Sequence, residues 1–200
     1  MDRRLPELLP AAEQRPEPVH RAMHYALTGA GKRVRPVLTL VVAELFGSRP
    51  DAVLDLACAV EMVHACSLVL DDLPSMDDAR RRRGRPALHV VHGVATAELA
   101  AVALLSRAFE ILAAADAIPG AARTRILREL AGAVGAGGCC AGQAADLSAE
   151  PAAVSRFLRL SFCSLITVEG TLCTHAPSPP SIRAFTPAQL RDKWRHFPDP

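Results

Sequence analysis

The sequence has few aromatic residues and no long uninterrupted apolar run. Aromatic side chains make up 4% of its 200 residues, whereas half of the residues are hydrophobic. Sheet-rich proteins usually carry more β-branched and aromatic residues, so this composition favours a helical protein filled by Ala, Leu and Val. No stretch reaches the ~18 consecutive apolar residues of a transmembrane helix. We therefore expect no membrane span.

The cysteines and the charges exclude further classes of protein. The six cysteines, at positions 58, 66, 139, 140, 163 and 173, form no Cys-x-x-Cys pair, so neither a zinc site nor a compact disulfide framework is indicated. The formal net charge is only +2, which argues against a general nucleic-acid role. The N-terminal segment resembles neither a signal peptide nor a transit peptide. This predicts a cytoplasmic protein as the sequence stands, or a plastid protein if a transit peptide precedes Met1.

Apolar residues recur at helical spacing along most of the chain. The segment 19–46 reads as two helices joined by a connection at 28–31, and the second of them begins at Pro36 and stops at Gly47. Another helix is predicted to begin after an N-cap at Asp51. Two more are predicted over 96–115 and 123–134. No strand alternation is sustained, so we predict an all-α, antiparallel helical bundle.

The character of the sequence changes near residue 149. Six of the sixteen prolines fall within 174–200, and such a segment does not form a long helix. We predict that residues 1–148 form the helical domain and that residues 149–200 are a divergent, poorly ordered, Pro-rich tail.

The strongest chemical signal is an acidic cluster at the end of an apolar helix. Asp71, Asp72, Asp77 and Asp78 lie within eight residues and repel one another unless cations neutralise them. Such hard oxygen ligands suit Mg²⁺, which bridges carboxylates to substrate phosphates. Pro74 should end or bulge the helix and let Asp77 turn back towards Asp71. The alternative is a solvated acidic helix end, which the helix dipole disfavours.

A histidine shares the predicted face of this helix. His64 lies seven residues before Asp71, which is nearly two full turns and places the two residues about 10 Å apart on one side. Ser67 lies between them. On its own, His64 would more often be a buried core histidine.

Two basic clusters flank the acidic one. Lys32, Arg33 and Arg35 gather where a helix begins, and free backbone N–H groups with basic side chains form a diphosphate site. The run 80–83, followed by Arg85, supplies the second cluster. A charge run by itself is usually a solvated loop. Because two basic clusters flank one acidic cluster, we instead predict that anionic substrates bind there together with a divalent metal.

These motifs, in this order, resemble the trans-polyprenyl diphosphate synthases, notably the geranylgeranyl diphosphate synthases. The resemblance is carried by GKRVRP at 31–36, EMVHACSLVLDDLPSMD at 61–77, RRGRP at 82–86 and GQAADL at 142–147. It implies a helical bundle of the isoprenoid synthase type. It also implies the Mg²⁺-dependent condensation of isopentenyl diphosphate with an allylic diphosphate.

The resemblance also implies roles for individual residues. Asp71 and Asp77 would ligate Mg²⁺, with Asp72 in support. The isopentenyl diphosphate would be held by Lys32, Arg35, His64 and Arg83. Arg82 would contact the allylic diphosphate. Cys66 and Ser67 would shape the floor of the pocket that sets product chain length.

The chain also departs from that family. Its members are longer and carry a second aspartate-rich motif and a Lys-Thr pair, which we do not find here, so we expect the C-terminal half to be missing. Two hypotheses remain open. The chain is a form of a catalytic prenyltransferase, or a non-catalytic small subunit that binds and modulates a complete synthase. In both cases we expect a dimer, either homomeric or with a full-length synthase.

Overall fold

A computed structural model describes residues 1–29 and 31–148. These residues are mostly helical, which confirms the predicted all-α class. The predicted tail at 149–200 lies outside them. In chain order the elements are α1 (Arg4–Glu7), α2 (Glu17–Leu27), α3 (Val34–Leu45), α4 (Pro50–Asp71), β1 (Arg81–Arg82), β2 (Arg85–Pro86), α5 (Leu88–His92), α6 (Val94–Ala113), α7 (Gly120–Val134) and α8 (Cys139–Ser148).

Helix α4 is the central element of the bundle. It packs most extensively against α6 and next against α3. The core positions of α6 are largely small, since Ala97, Ala100, Ala101 and Ala108 are fully buried, and small side chains allow helices to approach closely. By length and apolarity α4 could cross a bilayer, but 67% of its most apolar stretch is buried inside the protein. Its apolar character is accounted for by this central position.

All five helices predicted from the sequence begin two or three residues earlier in the structure, including α2 at Glu17 rather than residue 19 and α7 at Gly120 rather than residue 123. Helix α3 begins at Val34 rather than Pro36, and α6 begins at Val94 rather than at residue 96. Helix α4 begins at Pro50 with Arg49 as its N-cap, so the predicted cap at Asp51 is wrong. Proline is tolerated in a first helical turn because its missing N–H has no partner there. Asp51 lies within that first turn, where an acid favours the helix dipole.

The basic segment after the acidic cluster is a small antiparallel hairpin, not the predicted loop. Strands β1 and β2 pair Arg82 with Arg85 across a two-residue turn. Both turn residues have positive φ, 51° at Arg83 and 77° at Gly84. Two-residue hairpin turns require this conformation because it matches the twist of the strands. The hairpin thereby turns the basic cluster back towards α4.

Candidate functional site

The acidic cluster folds back on itself at the end of α4. The backbone N–H of Asp77 donates to the carbonyl oxygen of Asp71 at 3.0 Å, and that of Asp78 donates to Leu73 O at 3.0 Å. Asp78 has a positive φ of 48°, as the sharp turn after Pro74 requires. The predicted return of Asp77 towards Asp71 is therefore present in the backbone. The side chain of Asp77 is exposed.

Arg82 binds the two aspartates that end α4. Its Nε lies 2.9 Å from Asp72 Oδ1 and 3.1 Å from Oδ2, and its Nη2 lies 2.5 Å from Asp72 Oδ1. The same Nη2 lies 2.9 Å from Asp71 Oδ2. Asp72 is 3% exposed, so this guanidinium neutralises a carboxylate that is shielded from water. Arg82 thus connects the hairpin to the acidic cluster.

Gln143 on α8 is a further partner of the acidic cluster that the sequence analysis did not assign. Its Nε2 donates to Asp71 Oδ1 at 2.9 Å. Because Arg82 holds Oδ2, both carboxylate oxygens of Asp71 accept hydrogen bonds. The GQAADL segment carried the signal for this contact, but its spacing of 72 residues from Asp71 could not be read from local pattern.

His64 contacts Arg35 and stays neutral. Arg35 Nη1 lies 3.2 Å from His64 Nε2, and because a guanidinium can only donate, Nε2 must be the acceptor. Burial is the main reason that the pKa of His64 falls to about 3, and four nearby guanidinium charges contribute. Those charges belong to Arg35, Arg83, Arg82 and Arg33. At neutral pH the ring is therefore an uncharged polar group among cations.

Arg33 holds together the connection between α2 and α3. Its Nη1 donates to Glu61 Oε1 at 2.7 Å, and its Nη2 donates to Leu27 O at 2.7 Å and to Gly29 O at 3.2 Å. The side chains are 13% exposed for Arg33 and 4% for Glu61. Arg33 has the left-handed φ of 46°, which lets its side chain turn inwards. Arg33 belongs to the first basic cluster of the sequence, but no role was predicted for it, and its partner Glu61 was not singled out.

The glycine-rich connection lies directly against the hairpin. A Cβ atom at Gly29 would lie 3.1 Å from Arg85 Nη1, and one at Gly31 would collide with the Arg83 guanidinium. The missing side chains therefore leave the space that these two guanidinium groups occupy. This contact brings the two basic clusters of the sequence together on one side of α4.

A cavity opens between α2, α4 and the hairpin. Each helical residue advances about 100°, so Glu61, Leu68 and Asp72 form the middle of its α4 wall. Asp71 lies about 100° around the helix from Asp72 and about 20° from His64, which also lines the cavity. The lining residues are Tyr25, Ala26, Gly29, Arg33, Glu61, His64, Ala65, Leu68, Val69, Asp72, Arg82, Arg83, Arg85, Pro86, Ala87 and Leu88. Four arginines and two carboxylates face it, so the cavity is cationic.

Two of the basic residues predicted to hold isopentenyl diphosphate, Lys32 and Arg35, do not line this cavity. Lys32 is exposed and Arg35 is half-buried; neither belongs to the lining, although Arg35 reaches it through His64. Of the residues predicted to bind the diphosphates and the metal, His64, Asp72, Arg82 and Arg83 line the cavity, whereas Lys32, Arg35, Asp71 and Asp77 do not. Asp71 lies on nearly the same side of α4 as His64 but about two turns further along the helix.

The two residues predicted to shape a chain-length pocket differ in environment. Cys66 is buried, and burial raises the pKa of its thiol to about 11. Ser67 is half-buried and its hydroxyl donates to His64 O at 2.8 Å within the same helix. Neither side chain lines the cavity. Their role in product length stays a prediction.

The donor set at the end of α4 fits Mg²⁺. Within 1–29 and 31–148, no three His, Cys, Asp or Glu side chains form a ready metal cluster. Mg²⁺ does not require one, because it keeps several waters and takes one or two carboxylates together with substrate phosphates. Asp71 and Asp77 offer such hard oxygens on a backbone already folded back by their hydrogen bond.

The family model and the curated relatives that this chain resembles all belong to one family of proteins. The polyprenyl synthetase family model matches residues 16–162, a range that continues past residue 148. Geranylgeranyl diphosphate synthase of Pantoea ananas is 51% identical over 150 residues, covering 74% of this chain and 49% of that protein. The chloroplastic heterodimeric geranylgeranyl pyrophosphate synthase large subunit 1 of Arabidopsis thaliana is 48% identical over 138 residues, covering 68% of this chain and 37% of that protein.

A solved structure extends the likeness to three dimensions. An FPP/GFPP synthase from Zymomonas mobilis superposes with a TM-score of 0.80 at 34% identity, covering 86% of this chain and 66% of that one. The chain spans about half the length, or less, of the curated relatives it matches.

Proposed function

This chain belongs to the polyprenyl synthetase family, and we propose that it binds isopentenyl diphosphate and an allylic diphosphate with Mg²⁺ for their condensation. The observation that carries the proposal is the cationic cavity beside the folded-back acidic cluster. Arg82 joins the two by binding Asp71 and Asp72 at one end and lining the cavity at the other. An anion and a divalent cation thus have adjacent places on α4.

The isopentenyl diphosphate is assigned to the cationic cavity. His64 and Arg83 line it, Arg35 contacts His64, and Lys32 lies next to Arg33 at the start of α3. Arginine forks suit the oxygens of a diphosphate because they donate two parallel hydrogen bonds. A neutral His64 adds a donor through Nδ1, since Nε2 accepts from Arg35. The low pKa of His64 therefore keeps the ring hydrogen-bonding without extra charge repulsion from its neighbours.

The Mg²⁺ site is assigned to Asp71 and Asp77, with Asp72 in support. Asp72 is the more buried and more fully paired aspartate, so it serves to hold Arg82 rather than to bind metal. Arg82, whose Nη2 bridges Asp71 and Asp72, would contact the allylic diphosphate beside this site. When bound, Mg²⁺ would neutralise the diphosphate leaving group.

The reaction then follows from charge stabilisation. The carbon–oxygen bond of the allylic diphosphate breaks and its electron pair leaves with the diphosphate. The double bond of isopentenyl diphosphate supplies the pair for the new carbon–carbon bond, and a proton is lost from the product. Arg82 and Arg83 would stabilise negative charge that develops on the leaving group and hold the second substrate in line.

Mg²⁺-dependent binding of a radiolabelled, unreactive allylic diphosphate analogue tests the proposal. We expect the purified chain to retain the analogue in equilibrium dialysis with Mg²⁺ and unlabelled isopentenyl diphosphate. Asp71→Asn should weaken the Mg²⁺ dependence, whereas Asp51→Asn, an exposed acid in the first turn of the same helix, should not change it. No Mg²⁺-dependent retention would contradict the proposal.

Turnover separates the catalytic from the modulating role. The chain is assayed for labelled product alone and mixed with an intact synthase. Product from the chain alone supports a catalytic prenyltransferase. A product profile that changes only in the mixture supports a small subunit that binds a complete synthase.

A further inference from the structure

We propose that Arg85 is a further diphosphate-binding side chain of the cationic cavity and that Tyr25 positions it. Arg85 was counted in the second basic cluster of the sequence but was given no ligand of its own, and Tyr25 was not singled out. The inference rests on the proposed function, since it concerns the head group of isopentenyl diphosphate. It is carried by the packing of one guanidinium on one aromatic ring.

Tyr25 is fixed at three points. The Arg85 Cζ atom lies 4.0 Å from the centre of its ring. The hydroxyl donates to Pro86 O at 2.9 Å. On another side, His92 packs edge-on at 5.5 Å between ring centres and 73° between ring planes. The ring is therefore held by the hairpin and by α5 and has little freedom to leave the guanidinium.

The ring also determines where Arg85 lies. Its guanidinium stacks on Tyr25 and lies against the glycine-rich connection, where a Cβ at Gly29 would be 3.1 Å from Nη1. Both Tyr25 and Arg85 line the cavity that His64 and Arg83 also line. Arg85 is therefore held at the wall of the assigned diphosphate site instead of extending into solvent.

The charges of the lining leave Arg85 available for an anion. Glu61 is paired with Arg33, and Asp72 with Arg82, so both carboxylates of the lining are engaged. Among the residues that the structure describes, the Arg85 guanidinium makes no ion pair or side-chain hydrogen bond. An aromatic contact uses the face of a guanidinium and leaves the N–H groups at its edge for a ligand.

A purely structural role predicts a different result. The contact could serve only to fasten the hairpin to α2, in which case its loss would lower stability and leave anion affinity unchanged. A binding role predicts loss of affinity at a temperature where the variant is fully folded. Both quantities must therefore be measured on the same variants.

The test is calorimetric titration of the full chain with inorganic pyrophosphate, without Mg²⁺, at fixed pH and ionic strength. We expect Arg85→Gln to weaken binding about ten- to hundredfold, as for lost hydrogen bonds to a charged group. Tyr25→Leu should weaken it about two- to fivefold through loss of the ring contact. Tyr25→Phe keeps the ring and should bind more tightly than Tyr25→Leu. Arg49→Gln, which removes the exposed N-cap arginine of α4 outside the cavity, is the matched control.

The thermal midpoint of each variant is measured in parallel, and Arg85→Lys provides a second variant that keeps a cation in case Arg85→Gln does not fold. We expect Arg85→Lys to bind with intermediate affinity, because it lacks the fork. Wild-type affinity in Arg85→Gln or in Arg85→Lys would overturn this inference but not the proposed function. Absence of pyrophosphate binding by the wild-type chain would overturn the cavity assignment of the proposed function and this inference with it.

Discussion

Replacing Glu61 by glutamine would test how the connection between α2 and α3 is held. The variant removes the charge that neutralises Arg33 and keeps the shape of the side chain. Glu61 is 4% exposed and lies 2.7 Å from Arg33, and loss of one partner of a buried pair costs about 3–5 kcal/mol. Arg33 retains two backbone carbonyls and the exposed Asp2. We therefore expect a loss of about 2–3 kcal/mol in the free energy of unfolding.

Urea unfolding followed by circular dichroism measures this loss, with Glu17→Gln as the control. Glu17 forms an equally short 2.7 Å pair with Arg21, but both side chains are about half exposed. Such pairs contribute only about 0.3–0.5 kcal/mol. The double variant Arg33→Met/Glu61→Leu should lose less stability than Glu61→Gln, because it leaves no unpaired buried charge. A loss in Glu61→Gln no larger than that in Glu17→Gln would refute the reasoning.

Three further outcomes follow from the site. Between pH 6.5 and 4.5 the unfolded chain protonates at position 64 while native His64, with a pKa of about 3, does not. The free energy of unfolding therefore falls as the pH is lowered over this range. In urea titrations it should fall by roughly 2–3 kcal/mol more in the wild type than in His64→Asn. Gln143→Leu removes a donor to Asp71 and should change Mg²⁺ affinity in the presence of pyrophosphate, measured by calorimetry. Thiol labelling at pH 8, mapped by peptide mass spectrometry, should modify exposed Cys140 well before buried Cys66.

The helical fold and the acidic turn were predictable because their signals are local. Helical spacing of apolar residues does not depend on distant parts of the chain. Pro74 ends α4 by its own geometry, and the return of Asp77 follows from it. The hairpin was not predictable in the same way. It requires a positive φ at Arg83, and arginine, like other non-glycine residues, rarely adopts this conformation.

The composition of the cavity could be predicted only in part. The spacing of His64 and Asp71 identifies a helix face, but that face is only the edge of the cavity wall, whose middle is formed by Glu61, Leu68 and Asp72. Which residues of α4 line the cavity depends on where the hairpin packs. The contacts of Arg33, Glu61 and Tyr25 join residues 28 to 61 positions apart, and a single sequence carries no local sign of such pairs.

The assignment of metal and diphosphate to this site can be tested by a crystal structure of the chain with Mn²⁺ and inorganic pyrophosphate. Anomalous scattering would identify and locate the metal. We expect Mn²⁺ bound by Asp71 and Asp77, with pyrophosphate in the cationic cavity against His64 and Arg83. Metal and anion bound elsewhere, with the cavity empty and the Arg82 pairs to Asp71 and Asp72 unchanged, would contradict the assignment.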